Sequence, residues 1–226
     1  MNTGIVRTVL YGSSQRLGRT TSAIFKLPVQ GSVQVGPLGL VGDAQADWRI
    51  HGGVDKAVHC YAWSHYQTWQ KELPNCSAFA APGAFGENLS VTGLDEETVC
   101  VGDTWKVGQT VLAVTQGRQP CFKLNLRFGV PDMAARVQNT LRAGWYMRVV
   151  KPGVLAAGDR LELLDRPHPD HSIASLLQLI RDRSTDAAIL SDVLRLPLTP
   201  SWRRLFERRL QSGEVEDWSR RMVGSD

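Results

Sequence analysis

The chain lacks any apolar run near the ~20 residues that cross a bilayer as a helix, and its opening Met1-Asn-Thr-Gly-Ile-Val-Arg7 has no apolar signal core. A cytoplasmic protein with no membrane segment is the expectation. Its four cysteines, Cys60, Cys76, Cys100 and Cys121, include no Cys-x-x-Cys pair, so spacing offers neither a zinc knuckle nor a dithiol redox centre. Disulfides are not expected in a reducing compartment. No His-Glu-x-x-His pair occurs; His51, His59 and His65 stand eight and six residues apart, and a histidine zinc site is set aside. Flavin fingerprints, haem-attachment motifs and four-cysteine cluster spacings are also missing, so any redox chemistry must draw on a separate electron donor. Charge of one sign does not dominate either. A net charge of +4 on 226 residues suits an anionic ligand or nucleic acid and selects neither.

What is present reads first as strands. Gly4 to Gly12 holds Ile-Val-Arg-Thr-Val-Leu-Tyr, a run of β-formers closed by Gly-Ser-Ser. Ala57 to Tyr61, Val99 to Val107, Thr110 to Thr115, Gly144 to Val150 and Val154 to Leu164 repeat the pattern with Gly-Asp or Gly-Gln turns. Between them, Tyr66, Trp69 and Leu73 define the inner face of a helix from Ser64 to Leu73. Val130, Met133, Ala134, Val137 and Leu141 define another starting at Pro131. Short strands at close spacing with few helices predict a mainly β fold, a closed or nearly closed barrel with flanking helices. Composition changes at Arg166-Pro-His-Pro-Asp170, which divides a barrel domain, 1–166, from a helical subdomain, 167–226. In that tail Ile173, Leu176, Leu177 and Ile180 mark one helix, and Ile189, Leu190, Val193 and Leu194 a second. Thr199-Pro200 caps a third, with Trp202, Leu205 and Phe206 inward. The tail's arginines alternate with Glu207, Glu214, Glu216 and Asp217, which predicts a solvated face with i,i+4 pairs rather than a nucleic-acid surface.

Three segments carry chemistry. In Thr115-Gln-Gly-Arg-Gln-Pro-Cys-Phe-Lys-Leu-Asn-Leu-Arg-Phe128 a strand empties into a loop where Arg118, Lys123 and Arg127 surround Cys121. Cationic neighbours favour thiolate, the nucleophilic and metal-binding form, although a lone cysteine also reads as an inert small hydrophobe. From Gly36 to Gly53 the chain is glycine-rich and ends in His51-Gly52-Gly53, followed by Asp55, Lys56 and His59. Such a loop can bring backbone amides to an anion. Ala84-Phe-Gly-Glu-Asn-Leu-Ser90 presents Glu87 and Asn88, which read as turn chemistry with Asn88 bonding its own backbone. Lys26, the one charge in Ala23 to Val29, reads equally as an edge-strand lysine facing water or as a site cation.

Taken together, Gly39-Leu-Val-Gly-Asp-Ala-Gln-Ala-Asp47, His51 to His59, Phe85-Gly-Glu-Asn-Leu89, Arg118-Gln-Pro-Cys-Phe-Lys-Leu-Asn125 and Gly144-Trp-Tyr-Met-Arg148 resemble the MOSC family. That family is named for the C-terminal domain of molybdenum cofactor sulfurase. Within it the chain looks like the stand-alone bacterial YiiM type, associated with resistance to 6-hydroxylaminopurine, and the tail ending in Gly213 to Trp218 is similar as well. Gly117 departs from the pattern, where the resemblance leads one to expect proline, and this bears on the rigidity of the cysteine loop.

The resemblance implies a MOSC-type β-barrel, a molybdenum-pterin cofactor ligated by Cys121, and reduction of N-hydroxylated compounds to the amine or amidine. A soft dithiolene-bound molybdenum needs only one more thiolate, so a single cysteine suffices. The cofactor's phosphate would be met by Lys56, Arg118 and the His51-Gly52-Gly53 loop, with Lys26 and Lys123 as further cations. Its pterin edge would be read by Asn88, Asn125 or Glu87, and His59 would donate a proton or orient the cofactor. Implied partners are a small N-hydroxylated substrate, a separate flavoprotein reductase and, through the apolar tail, a second copy of the chain. A cysteine hydrolase pairing Cys121 with a histidine and a non-catalytic cofactor carrier are the rival readings.

Overall fold

A computed structural model describes residues 3–44 and 52–224. The strands are β1 (Thr3–Tyr11), β2 (Gln15–Leu17), β3 (Thr20–Ser22), β4 (Leu27–Pro28), β5 (Ser32–Gly36), β6 (Gly39–Leu40), β7 (Val58–Ala62), β8 (Leu89–Thr92), β9 (Thr104–Val107), β10 (Thr110–Gly117), β11 (Trp145–Lys151), β12 (Gly153–Ala156) and β13 (Arg160–Asp165). Helices α1 (Trp63–Glu72), α2 (Lys123–Phe128) and α3 (Met133–Thr140) lie between strands, and α4 (Ile173–Arg181), α5 (Ala187–Val193), α6 (Pro200–Ser212) and α7 (Ser219–Val223) follow them.

The sheet runs β13-β9-β10-β11-β7-β8-β1, and β13 pairs back onto β1, so the strands close into a barrel. Closure removes the open edges of a long sheet. Every neighbouring pair in it is antiparallel except β7 with β8. A parallel step needs a crossover, and the segment holding α1 supplies it. Covered on both faces, β7 is buried at all five positions. The barrel core is apolar, centred on Trp105, Trp145, Val58, Leu89 and Leu112.

The mainly β fold with a helical tail is what the sequence predicts, with four local differences. Val99 to Val107 is not one strand: Asp103 accepts from the Cys100 amide at 2.9 Å and pairs with Arg166, which folds residues 99–103 into a turn. The second helix starts at Met133, two residues past Pro131. The stretch after Cys121, read as loop, is helix α2, closed by Gly129 at φ 66°. A short α7 extends the tail.

Helices α4 to α6 begin on side-chain caps: Ser172, Asp186 and Thr199 accept from backbone amides of the first turn. The buried face of α4 rests on the end of β10, where a Cβ at Gly117 would stand 2.8 Å from Leu177 Cγ. Glycine is there for close packing. The solvated-face expectation fails for Arg209, which is 0% exposed, donates to the carbonyls of Leu179 and Ser184, and pairs with Glu216 at 2.8 Å. A guanidinium has enough donors to tie three chain segments together, which periodicity does not register.

Candidate functional site

The end of β10, the start of β11, β7, the turn before β8 and the chain from Ser22 to Lys26 surround an open cleft. Lys26, Lys56, His59, Asn88, Arg118, Cys121 and Lys123 line it, joined by Tyr146, Phe85 and Ser22. Residues 95 positions apart in sequence, Lys26 and Cys121, thus face one space because the barrel brings their segments to the same end.

Cys121 is 9% exposed, between the end of β10 and α2, and its carbonyl starts that helical turn by accepting from Leu124 N at 2.9 Å. Arg118 is anchored by its backbone, whose amide donates to Gly144 O at 2.9 Å. Its Nη1 is buried with no hydrogen-bond partner. An unsatisfied guanidinium N–H costs free energy unless something anionic meets it. Lys123, more exposed, donates to Thr21 O at 2.9 Å. Lys56 closes a short turn, Val54–Lys56, with Nζ 5.9 Å from the Tyr146 ring centroid.

Lys26 does not face water. It is 9% exposed and its Nζ pairs with Asp43, while burial pulls its pKa down against that partner's opposing pull. Asn88 likewise departs from the turn reading. Its Oδ1 accepts from His59 N at 3.0 Å, and its Nδ2 donates to Leu10 O at 3.3 Å and Asp43 Oδ2 at 2.8 Å. Both amide donors are spent on the wall, so Asn88 shapes the cleft and has no N–H left for a ligand edge.

Glu87 and Asn125 are not among the lining residues. Glu87 is 0% exposed and accepts from Tyr66 OH at 2.5 Å, Gly83 N at 2.7 Å and Phe85 N at 3.2 Å; burial nonetheless raises its pKa. Asn125 accepts from Ala134 N at 2.8 Å and donates to Met222 O at 3.0 Å, tying α2 to α3 and α7. Gly52 and Gly53 precede the Val54–Lys56 turn without lining the cleft, Gly53 at φ 92°, and His51 lies outside the described residues.

His59 is 4% exposed, its ring 4.9 Å from that of Tyr146, and its Nε2 is buried without a partner. Burial, with Arg118 adding to it, holds its pKa well below the ordinary 6.5. Its surroundings therefore hold the imidazole in its neutral form. Burial also raises the Tyr146 phenol, with Arg118 opposing. Sequence reasoning passed over Tyr146 and Asp43 as site residues, although both lie in the quoted segments. The signal was a polar residue inside an otherwise apolar or glycine-rich motif.

An anionic, metal-bearing cofactor can be tested against these residues. The orphaned Arg118 nitrogen beside Lys56 and Lys123 fits a phosphate, and Cys121 fits a soft metal. Among the described residues no three His, Cys, Asp or Glu side chains converge on a metal position, so a ligand set supplied wholly by protein is not on offer there. Among the described residues no hydrogen bond joins Cys121 to His59, and the alternative pairing of Cys121 with His51 lies outside them. No described helix is long and apolar enough to cross a membrane.

Comparison with known proteins agrees with this architecture. Residues 47–162 match the MOSC domain model and residues 172–213 match the YiiM-like, 3-alpha helix domain. Protein YiiM of Escherichia coli is 40% identical over 205 residues, covering 90% of this chain and 91% of that protein. A protein named Reductase from Gibberella moniliformis is 41% identical over 196 residues; the chain spans 35% of that longer protein. The crystal structure of Escherichia coli YiiM superposes with a TM-score of 0.80 at 34% identity, covering 96% of this chain and 98% of that one. The chain therefore belongs to the MOSC domain family, with a YiiM-like three-helix domain following the barrel.

Proposed function

We propose that the protein is a molybdenum-cofactor-dependent reductase of N-hydroxylated compounds, hydroxylaminopurine-type bases and amidoximes among them. The observation that carries this reading is one cleft holding both a lone cysteine and a buried guanidinium nitrogen with no protein partner. Family membership and the name of the Gibberella relative support it.

In this reading Cys121 ligates the metal, while Arg118, Lys56 and Lys123 hold the phosphate. The bound cofactor supplies oxygen-atom abstraction coupled to two-electron transfer. The net reaction takes an N-hydroxylated substrate, two electrons and two protons to the amine and water, with the N–O bond broken. The sequence shows no flavin fingerprint, haem-attachment motif or four-cysteine cluster spacing, so in this reading the electrons come from a separate reductase, of the flavoprotein class. The Lys26–Asp43–Asn88 network fixes the wall, and neutral His59 packs against the Tyr146 ring. The apolar faces of Phe85 and Ile24 limit water around the reacting atoms.

The test is Cys121→Ala, purified from a cofactor-competent host and assayed for molybdenum, pterin and reduction of a hydroxylaminopurine with an artificial donor. Molybdenum is expected to be lost and activity to fall at least about 100-fold, with pterin partly retained because the Arg118 contact does not involve sulfur. Full activity in that variant overturns the reading. Tight cofactor binding with no turnover in the wild type, given a competent donor, would instead favour a carrier.

A further inference from the structure

The two peptide groups that flank Cys121 are both held by one residue from the far end of the chain. Arg221, on α7, donates from Nη1 to Pro120 O at 2.6 Å, and its own carbonyl accepts from Phe122 N at 2.8 Å. The other branch of the guanidinium, Nη2, donates to Gln138 Oε1 on α3 at 2.7 Å. The contact before the cysteine and the contact after it therefore come from a single residue, with α3 as third anchor. Around this clamp, Asn125 Nδ2 donates to Met222 O, and a Cβ at Gly224 would meet the Phe122 ring at 3.2 Å. The Trp218 ring lies 5.4 Å from the Arg221 guanidinium and 4.7 Å from that of Arg183, and its Nε1 donates to Glu216 at 2.7 Å. Glu216 in turn holds buried Arg209. A continuous set of contacts thus runs from the interior of the helical tail to the backbone on either side of the thiol.

A backbone so close to a reacting atom must be held to fractions of an ångström, and groups one layer out do that work. The segment carrying Cys121 has few alternatives: the described residues give it the turn into α2 and the α7 clamp. We propose that Arg221 is a positioning residue for Cys121, and that the C-terminal strap following the YiiM-like domain completes the cysteine side of the cleft. The proposal rests on the reading of Cys121 as the metal-binding thiol.

The test uses the full-length chain with Arg221→Ala, Arg221→Lys and Gln138→Ala. In cofactor-free protein, alkylation of each cysteine by iodoacetamide is followed by peptide mass spectrometry, with half-buried Cys76 as internal reference. Arg221→Ala should speed Cys121 alkylation about tenfold by local opening and leave Cys76 unchanged. Arg221→Lys, which keeps one donor for Pro120 O, should fall between. In cofactor-loaded protein Arg221→Ala should lower kcat about tenfold with little change in KM, as misplacement of a reacting group does. If Arg221→Ala does not fold, Gln138→Ala serves, with a smaller selective gain at Cys121. Wild-type alkylation of Cys121 in the folded variants, or equal gains at Cys76 and Cys121, overturns the proposal. Molybdenum and activity retained in Cys121→Ala would sink the metal reading and leave the clamp standing. Unchanged thiol reactivity in Arg221→Ala would sink the clamp alone.

Discussion

At the scale of single residues, the cleft is governed by how buried polar groups are satisfied. Asn88 and Lys26 were visible in the sequence as polar residues beside glycine or apolar neighbours, but their partners, Leu10, Asp43 and the His59 amide, come from distant segments. Local rules assign such residues to their own turns or to water because those are the only partners a linear reading contains. His59 offers a test by pH. Its folded pKa lies below the ordinary 6.5 because burial, then Arg118, disfavours the charged form. The unfolded chain thus binds the extra proton first, and the stability that neutral His59 contributes is present above about pH 6.5 and is lost as pH falls. His59→Gln removes that dependence. As pH falls from 7 to about 5.5, the wild type should lose urea-unfolding free energy relative to the variant. A gap that stays constant over that range would mean the imidazole is not held neutral by the fold.

At the scale of elements, strands and tail helices were legible because their apolar period and caps are local, as at Ile173 to Ile180 and Thr199-Pro200. Helix α2 was not, since Lys123 to Phe128 is too short for a period and its neighbours are charged. Gly117 shows a different limit. Its departure from proline suggested a looser cysteine loop, whereas in the fold it is a buried strand residue on which α4 sits through Leu177. Gly117→Ala should cost about 1–3 kcal/mol by overpacking, because its Cβ would lie within 3 Å of three Leu177 atoms. The added methyl and the leucine are in direct contact, so the effects of Gly117→Ala and Leu177→Ala should be non-additive, with the double variant more stable than their sum implies. Additive losses in chemical denaturation would show that the Leu177 contact is not what excludes a side chain at position 117.

At the scale of the whole molecule, barrel and tail share one apolar core, and the polar contacts from Arg209 to Arg221 join the tail to the cleft. This coupling was the least legible feature: an arginine-rich helix with interleaved acids looks the same in sequence whether its charges face water or each other. Arg209 is 0% exposed, and Glu216 supplies its only ion-pair partner among the described residues, with side-chain exposures of 0% and 30%. Removing the acid leaves a buried guanidinium held by carbonyls alone, so Glu216→Ala should lower global stability by about 3 kcal/mol, the lower end for a broken buried pair because Glu216 is partly solvated. Glu216 also accepts from Trp218 Nε1, and Trp218 stacks on Arg221, so the variant should loosen the strap as well as the bundle. Hydrogen exchange at the amides of Phe122 and Met222 should accelerate in Glu216→Ala more than exchange in β7, whose protection follows the barrel. Uniform acceleration across the barrel and strap would instead mean that the pair stabilises the molecule as a single unit, with no separate link from the tail to the cysteine.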